Sequence, residues 1–371
     1  MKLPKHVALT SVALAGALAL TACGSDDNSA DGGSGSSSDS GSSVSGTLNG
    51  EGSSAQKNAI DEAIASFGSA NPDATVNYNA TGSGDGVKNF NAGQVDFAGS
   101  DSALKSEAVD GVVETDAAKE RCGGNEAWNL PLVAGPIAVA YNLPGVDNLI
   151  LTPEVVGKIF LGDIKTWNDK AIADLNPDAT LPSTAISVFF RSDESGTTEN
   201  FQKYLAGSAA DTWTEEPSKV WPGKAGEGRS KSDGVSQGVK STEGGITYVE
   251  WSYARDNDLG VAQIDNGAGA VELTGESAGK ALTAAEVTGT GNDLKLQLDY
   301  ATKEAGTYPI VLVTYEIVCS KGLDAEKTTL IKSFLKHFAS SETQTSLQEI
   351  GYAPLPSAIS DKVNTAIDAI S

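Results

Sequence analysis

Short apolar runs alternate with segments of helical periodicity along most of the chain. Apolar residues recur at helical spacing over 55–67, and strand-like runs follow at 75–78 and 95–98. Longer apolar runs, punctuated by Gly and Pro, occupy 131–142 and 308–318. This alternation predicts an α/β fold with largely parallel sheets. Roughly 325 residues lie beyond the polar N-terminal stretch, and this is more than a single hydrophobic core usually supports, so we expect two lobes.

The first 23 residues have the pattern of a targeting segment. Lys2 and Lys5 precede an apolar run over 7–20 that is too short for an ordinary membrane-spanning helix. The run ends in Leu-Thr-Ala-Cys, which resembles the lipobox of bacterial lipoproteins and implies cleavage before Cys23 and lipid attachment to it. A plain secretory signal with an incidental cysteine is the alternative. Residues 24–45, almost wholly Gly, Ser, Asp and Asn, predict a flexible tether. We therefore expect a globular protein anchored by lipid at the extracytoplasmic face of the cell membrane.

The charge balance narrows the classes of partner. The chain has 26 Lys and Arg against 49 Asp and Glu, a net charge of −23, which becomes −25 when the two lysines of the leader are removed. Nucleic acids and anionic membrane surfaces are bound by basic patches, so neither is an expected partner. Any anion site must work through local donors against this unfavourable overall field.

Cysteine and histidine usage bears on the compartment and on the chemistry. With Cys23 lipidated, Cys122 and Cys319 remain, and outside the cytoplasm such a pair most often forms a disulfide; two buried free thiols are the alternative. The mature chain retains one histidine, His337, in an amphipathic stretch where we expect a solvated helix position. No histidine triad or histidine-rich metal site is available, so we expect no metal and no cofactor, and catalysis is disfavoured.

The segment 191–198, Arg-Ser-Asp-Glu-Ser-Gly-Thr-Thr, is the most informative feature of the chain. It follows a strand-like run and opens a helix-like run. The first N–H groups of a helix lack intrahelical partners and the dipole makes that end positive, so such a turn can hold an anion. Ser195 and Thr197 can add hydroxyl donors, and Arg191 a planar fork suited to an oxyanion. The alternative is an ordinary capped helix start with a surface arginine.

Two further Gly-Ser segments, at 48–55 and 80–88, also precede helix-like runs. Glycine permits close approach of backbone to a ligand, and serine can serve both as cap and as donor. Neither segment fits the phosphate-loop pattern or the dinucleotide fingerprint. Because ligands of open α/β folds lie at the carboxyl ends of strands, three such turns together favour one shared anion site.

An aspartate follows the strand-like run at 95–98. Near neutral pH phosphate still carries a proton that it can donate to Asp101, whereas sulfate is fully ionised and cannot. A buried carboxylate acceptor would thus favour phosphate over sulfate. Asp193 could pair with Arg191 and orient its guanidinium. The alternative for Asp101 is an Asx-turn cap, which composition alone favours.

Taken in order, these motifs resemble the phosphate-binding proteins of bacterial phosphate ABC transporters, the PstS family, and in particular its lipid-anchored actinobacterial members. The resemblance covers roughly residues 46–356. The matching segments are 50–54, 82–83, 96–101 and 191–197, with flanking stretches at 157–168 and 244–250.

The resemblance implies a two-lobed periplasmic-binding-protein fold of type II, with the ligand cleft between lobes joined by crossover strands. Lobe I would comprise 46–133 and 312–371, and lobe II 134–311. A dehydrated phosphate would be held by Ser54, the Ala55 amide, Ser83 and Asp101 from lobe I, and by Arg191, Ser195, the Gly196 amide and Thr197 from lobe II. The family often has Thr-Phe where this chain has Ser54-Ala55, a change that keeps the hydroxyl and the backbone donor. Glu51 and Asp85 are extra acids near these loops, and we place both at the rim of the cleft.

The function implied is capture of inorganic phosphate and its delivery to the permease subunits of an ABC transporter, by a protein expected to be monomeric. Another tetrahedral oxyanion is the first alternative: Asp101 argues against sulfate and molybdate, whereas arsenate carries similar protons. A phosphatase or serine hydrolase using Ser195 or Ser83 would need a base or a metal that the sequence does not offer. A purely adhesive role would leave the three loops unexplained.

Overall fold

The computed structural model of the protein describes residues 44–109, 111–223 and 225–371. The leader, Cys23 and nearly all of the tether therefore lie outside the described residues. Within the described ranges, no helix is long and apolar enough to cross a membrane.

Strands and helices alternate along the chain, as the periodicity predicts. The strands are β1 (Gly46–Gly52), β2 (Ala74–Asn79), β3 (Phe97–Ser100), β4 (Ala108–Val109), β5 (Val112–Val113), β6 (Ala127–Asn142), β7 (Ile150–Leu151), β8 (Ser187–Arg191), β9 (Glu227–Arg229), β10 (Gly245–Glu250), β11 (Gly260–Val261), β12 (Gln263–Asp265), β13 (Ala270–Val271), β14 (Glu286–Val287), β15 (Leu296–Gln297) and β16 (Val311–Cys319). The helices are α1 (Lys57–Ala70), α2 (Ser83–Asn91), α3 (Glu114–Arg121), α4 (Pro153–Leu161), α5 (Lys170–Ala173), α6 (Gly196–Ser208), α7 (Lys231–Lys240), α8 (Trp251–Asp256), α9 (Gly275–Thr283), α10 (Ala325–Phe338), α11 (Ser341–Glu349) and α12 (Ser357–Ala369).

The main sheet has the strand order β2-β1-β3-β16-β6-β10-β8-β9, and β11 also pairs with β6. It is parallel only towards its two ends, where β1 pairs with β2 and β3, and β8 with β9 and β10. Its centre is antiparallel, because β6 and β16 run in opposite directions along each other. The expectation of largely parallel sheets is therefore wrong at the centre. The physical reason is that the chain passes out along β6 and returns along β16.

Two separate groups of apolar side chains pack on this sheet. One core is built mainly from residues between 137 and 312 and includes Trp167, Phe201 and Tyr248. The other group, in two adjoining clusters that include Phe67 and Phe334, comes mainly from residues before 135 and after 310, with Ala278, Leu282 and Leu294 added from the segment between. We call the part around the second group lobe I and the part around the first core lobe II. The lobe boundaries at 133/134 and 311/312 stay a prediction.

A disulfide joins Cys122, which caps the end of α3, to Cys319 at the end of β16. Both residues are buried and their Cα atoms lie 5.5 Å apart. The bond joins two parts of lobe I that are 197 residues apart in the chain. The two cysteines are therefore paired, as expected, and are not two buried free thiols.

His337 does not occupy a solvated position. It lies near the end of α10, where α10 packs against α1; its Nε2 is 2.7 Å from Ser66 Oγ and its ring contacts Phe67. Burial lowers the pKa of His337. The expectation was wrong because the buried face of α10 is wider than the apolar stripe alone indicates.

Candidate functional site

The Arg191–Thr198 segment is a strand-to-helix turn, as predicted. β8 ends at Arg191 and α6 begins at Gly196, with Ser195 as its N-cap. The Ser195 hydroxyl accepts a hydrogen bond from the Thr198 N–H at 3.2 Å, so the capping alternative is correct for this one side chain. Ser195 and Thr197 are both buried, which is not expected of a surface turn. The positive end of a 13-residue helix therefore faces the interior of the protein.

Arg191 is not a surface arginine, since only 2% of its area is exposed. Its Nε donates to Asp193 Oδ1 at 2.8 Å, and its Nη2 contacts Asp193 Oδ2. Burial acts to lower the pKa of Arg191, but the Asp193 carboxylate raises it overall. Burial likewise acts to raise the pKa of Asp193, and the guanidinium brings it below its usual value. The two are thus a charged pair that fixes the guanidinium plane.

Asp101 lies at the end of β3, is 3% exposed, and makes three hydrogen bonds through its carboxylate. Oδ1 accepts from Ser53 Oγ at 2.5 Å and from Thr314 Oγ1 at 2.8 Å, and Oδ2 accepts from Thr197 Oγ1 at 3.1 Å. Burial raises the pKa of Asp101, and these hydroxyls and Arg191 oppose the rise. The carboxylate is therefore a buried acceptor; it does not act as the Asx-turn cap that composition favours.

Ser83, the first residue of α2, accepts a hydrogen bond from the Asp101 N–H at 3.2 Å. Gly196 lies directly against both residues: a Cβ at this position would be 2.6 Å from Asp101 Cβ and 2.7 Å from Ser83 Oγ. Glycine is therefore required here for close approach, and the start of α6 reaches the end of β3 across the cleft.

Ser54 and Ala55 lie on the turn between β1 and α1. Ser54 Oγ is 2.9 Å from Ser232 Oγ and accepts from the Ser232 N–H at 3.1 Å. The Ala55 N–H, an expected ligand donor, donates to Ser53 Oγ at 3.1 Å. The carbonyl groups of this turn are held from outside, because Tyr253 donates to the Ser54 carbonyl and Tyr352 to the Ala55 carbonyl, both at 2.8 Å.

The predicted side chains are all buried, in two hydrogen-bonded groups that we call together the buried network. Asp101 bonds with Ser53, Ser83 and Thr197, whereas Ser54 bonds with Ser232, whose Oγ lies 3.5 Å from Arg191 Nη1. The Ser195 hydroxyl bonds to the Thr198 N–H beside them. Sequence reasoning missed three of its members, Ser53, Ser232 and Thr314. Ser53 was visible in the Gly-Ser run, and Thr314 is a polar residue inside the fully buried strand β16. No sequence pattern pointed to Ser232. Its position follows from the preceding residue, Lys231, which has a positive φ of 65° and whose N–H donates to Asp193 Oδ1 at 2.8 Å.

Contacts between the lobes continue beyond the predicted residues. Asn200 Nδ2 donates to the Asp101 carbonyl at 2.8 Å, and Ser102 Oγ donates to Glu199 Oε2 at 2.9 Å. Lys219 Nζ of lobe II is 2.9 Å from Glu114 Oε1 of lobe I; within lobe II, the Lys219 carbonyl accepts from the Ser195 N–H at 2.8 Å. The structure is therefore a closed arrangement of the two lobes.

The surroundings of the network include open space and exposed acids. A cleft of about 440 Å³ opens beside Asp101, between the start of α6 and β15, but Arg191 and Ser195 do not line it. Asp85 is exposed and Glu51 is half-buried. Neither acid is hydrogen bonded to the predicted donors in the described part of the chain.

Two more carboxyl groups are fully buried behind Asp101. Glu250, at the end of β10, accepts from the Ser252 N–H at 3.1 Å, whereas neither oxygen of Glu316 has a hydrogen-bond partner among the described residues. Burial raises the pKa of each to about 8. Both are therefore neutral acids at pH 7. In the same described ranges, no group of three or more His, Cys, Asp or Glu residues could hold a metal ion.

The arrangement combines many donors with one carboxyl acceptor, Asp101. An anion at the N-terminus of α6 would meet hydroxyl and guanidinium donors, and an anion that keeps a proton would also have an acceptor at Asp101. The sole described histidine, His337, lies on α10 and is not part of the network.

Residues 37–342 match the model of the PBP superfamily domain. The chain is 45% identical to a Mycobacterium tuberculosis protein named phosphate-binding protein PstS 3, over the whole of both chains, and 43% identical to PstS 2 of the same organism, again over the whole of both. Among solved structures, a periplasmic phosphate-binding protein called PfluDING, with bound phosphate, is similar with a TM-score of 0.68 at 21% identity; the similarity covers 86% of this chain and 93% of that one. The structural likeness supports the two-lobed periplasmic-binding-protein fold.

Proposed function

The chain belongs to the PstS family of phosphate-binding proteins, and from this premise we propose that it captures inorganic phosphate between its two lobes and delivers it to the permease of an ABC transporter. The observation that carries the proposal is the buried Asp101 carboxyl group, which accepts hydrogen bonds from three hydroxyl donors. A site built for a fully ionised anion has no use for such a group, since it would face the ligand as a like charge.

The phosphate ligands in this proposal are those that the family motifs imply. Arg191, Ser195 and Thr197, with the Gly196 amide, would bind from lobe II, and Ser54, Ser83, Asp101 and the Ala55 amide from lobe I. The proximity of these groups in one buried network supports the assignment. The Ala55 amide would have to exchange its bond to Ser53 for one to the ligand.

Delivery requires that the permease distinguish the loaded form. Closure brings the start of α6 against the end of β3, and a ligand that bridges the two lobes would favour the closed form. Attachment of lipid to Cys23, with the tether over 24–45, would hold the protein near the permease at the extracytoplasmic face. We propose that it works as a monomer and performs no chemistry on phosphate.

The test is a calorimetric titration of residues 46–371, stripped of any bound phosphate, with phosphate and then with sulfate. We expect tight one-to-one binding of phosphate and no heat with sulfate. Arsenate, which keeps similar protons, should compete with phosphate. The absence of binding heat with phosphate would overturn the proposal. Binding of sulfate as tight as that of phosphate would overturn the role of Asp101.

Two variants with matched controls locate the site. Arg191→Ala should weaken phosphate binding by roughly 100-fold or more, because a buried charged donor is lost and Asp193 is left unpaired. Arg255→Ala, at an exposed arginine over Trp251, should leave affinity unchanged. Asp101→Asn should admit sulfate, whereas Asp85→Asn at an exposed aspartate should not.

A further inference from the structure

The three hydrogen bonds to the Asp101 carboxylate are unevenly divided between its two oxygens. Oδ1 accepts two, from Ser53 and Thr314, and Oδ2 accepts one, from Thr197. A carboxylate oxygen has about two lone-pair sites, so Oδ1 is saturated by the protein and Oδ2 keeps one site. The oxygen left to accept a ligand proton is therefore Oδ2.

The two donors to Oδ1 are not among the residues proposed to bind phosphate, and both lie on or directly beside strands of the main sheet. Ser53 follows β1, and its hydroxyl also accepts the Ala55 N–H at 3.1 Å, which directs its own proton to Asp101. Thr314 is fully buried within β16, the crossover strand. The Thr314 hydroxyl caps no helix or turn, and a valine would fill the volume of Thr314 equally well.

The environment of Asp101 otherwise opposes its ionisation. It is buried, and the acids around it, Glu250 on β10, Glu316 on β16, Tyr78 on β2 and Tyr300, all have pKa values raised by burial and supply no positive charge to favour its ionised form. The Arg191 guanidinium is a positive charge that acts to lower the pKa of Asp101. A hydroxyl donor bonds more strongly to a carboxylate than to a neutral acid, so the donors on Oδ1 counteract the burial.

We infer that Ser53 and Thr314 are specificity-determining residues: their hydroxyls keep Asp101 in the ionised, proton-accepting form, and thereby make the site reject anions that carry no proton. The inference rests on the proposed function and names two residues that act through Asp101. If either hydroxyl is removed, Asp101 takes up a proton at higher pH. In the neutral form it donates a hydrogen bond, and a fully ionised anion is then accepted.

The experiment measures sulfate and phosphate affinity at pH 5, 6, 7 and 8 for the wild type, Ser53→Ala, Thr314→Val and the double variant. Sulfate is the informative ligand because it stays fully ionised over this range, whereas phosphate itself titrates. We expect the double variant to bind sulfate at least about tenfold more tightly than the wild type at pH 6, with the gain disappearing towards pH 8. Thr314→Ser should restore the wild-type profile.

Thr247→Val is the matched control, because Thr247 is also fully buried on a strand and donates instead to the Phe189 carbonyl. It should change stability without changing the sulfate profile. Circular dichroism checks that each variant is folded, and Ser53→Ala, the smallest change, tests the inference even where Thr314→Val does not fold. A sulfate profile identical to that of the wild type in folded variants overturns the inference while phosphate binding stands. A wild type that fails to bind phosphate overturns the proposed function, and this inference with it.

Discussion

Replacement of Glu316 by glutamine tests the buried acids behind the site. Glu316 lies on β16 opposite Gly99 of β3, is fully buried, and has no hydrogen-bond partner for either oxygen in the described part of the chain. The neighbouring Gln56 amide lies near enough to lower the pKa of Glu316 in part, but its two polar atoms make no hydrogen bond of normal geometry there. Burial raises the pKa of Glu316 from 4.5 to about 8, so the folded protein holds its proton at neutral pH.

The sign and size of the effect follow from proton linkage. Between pH 4.5 and 8 the folded state binds this proton and the unfolded state does not, so stability falls as pH rises through that window. At pH 7 the penalty is about 3 kcal/mol, taking about 1.4 kcal/mol per pH unit above the usual pKa. Glutamine keeps the shape of the neutral acid and carries no such penalty. We therefore expect Glu316→Gln to stabilise the protein by about 3 kcal/mol at pH 7 and by almost nothing at pH 4.5.

The assay is urea unfolding of residues 46–371 at pH 5, 6, 7 and 8, without phosphate. The difference in unfolding free energy between the variant and the wild type should grow with pH. Glu349→Gln, at an exposed glutamate near the end of α11, is the control and should show a constant difference over this range. If Glu316→Gln and the wild type have parallel pH profiles, Glu316 is ionised in the folded protein and the burial argument fails.

Three further changes test the closed arrangement and the cross-link. Gly196→Ala should weaken phosphate binding by at least about tenfold with little effect on stability, because the added Cβ would lie 2.6 Å from Asp101 Cβ and block closure. Calorimetry measures the affinity, and an unchanged affinity would contradict the close approach. Lys219→Ala removes the ion pair with Glu114, whose two side chains are only 8% and 14% exposed. With Glu114 left without its cation, the dissociation of phosphate measured by stopped flow should accelerate by about tenfold. A change in the association rate alone would argue against a role of this pair in closure. Replacing both cysteines of the disulfide with serine should lower the free energy of unfolding by up to about 5 kcal/mol on the chain-entropy model, and an unchanged melting temperature would refute that estimate.

The turn at the start of α6 could be predicted from sequence because its chemistry is local. A strand, a Gly-Ser-Thr turn and a helix follow one another within a few residues, and Arg191 and Asp193 are close enough in the chain to pair. The same holds for Ser83 at the start of α2. The pattern could also place Asp101 at the end of a strand. Its partners could not be predicted, since Thr314 is 213 residues away along the chain.

The remaining features depend on how distant segments meet. The antiparallel centre of the sheet arises because β6 and β16 cross between the lobes in opposite directions, which no local period encodes. Ser232 enters the site because the chain at Lys231 adopts a left-handed conformation with φ of 65°, an unusual choice for lysine that the bond from its N–H to Asp193 supports. His337 is half-buried through packing of α10 on α1.

The charge of the site explains how so acidic a chain can hold an anion. The Arg191 cation is matched by Asp193, and Asp101 adds a negative charge, so the network offers no net positive charge to an incoming phosphate. Binding must then depend on hydrogen bonds from hydroxyls, amides and the guanidinium, supplied in a buried setting where each is stronger than in water. Such hydrogen bonds depend on geometry and on whether the ligand carries a proton that it can donate. Attraction by net charge alone would admit sulfate and phosphate alike. A site without net positive charge, in a chain of net charge −23, is therefore suited to selecting among anions by the protons they carry.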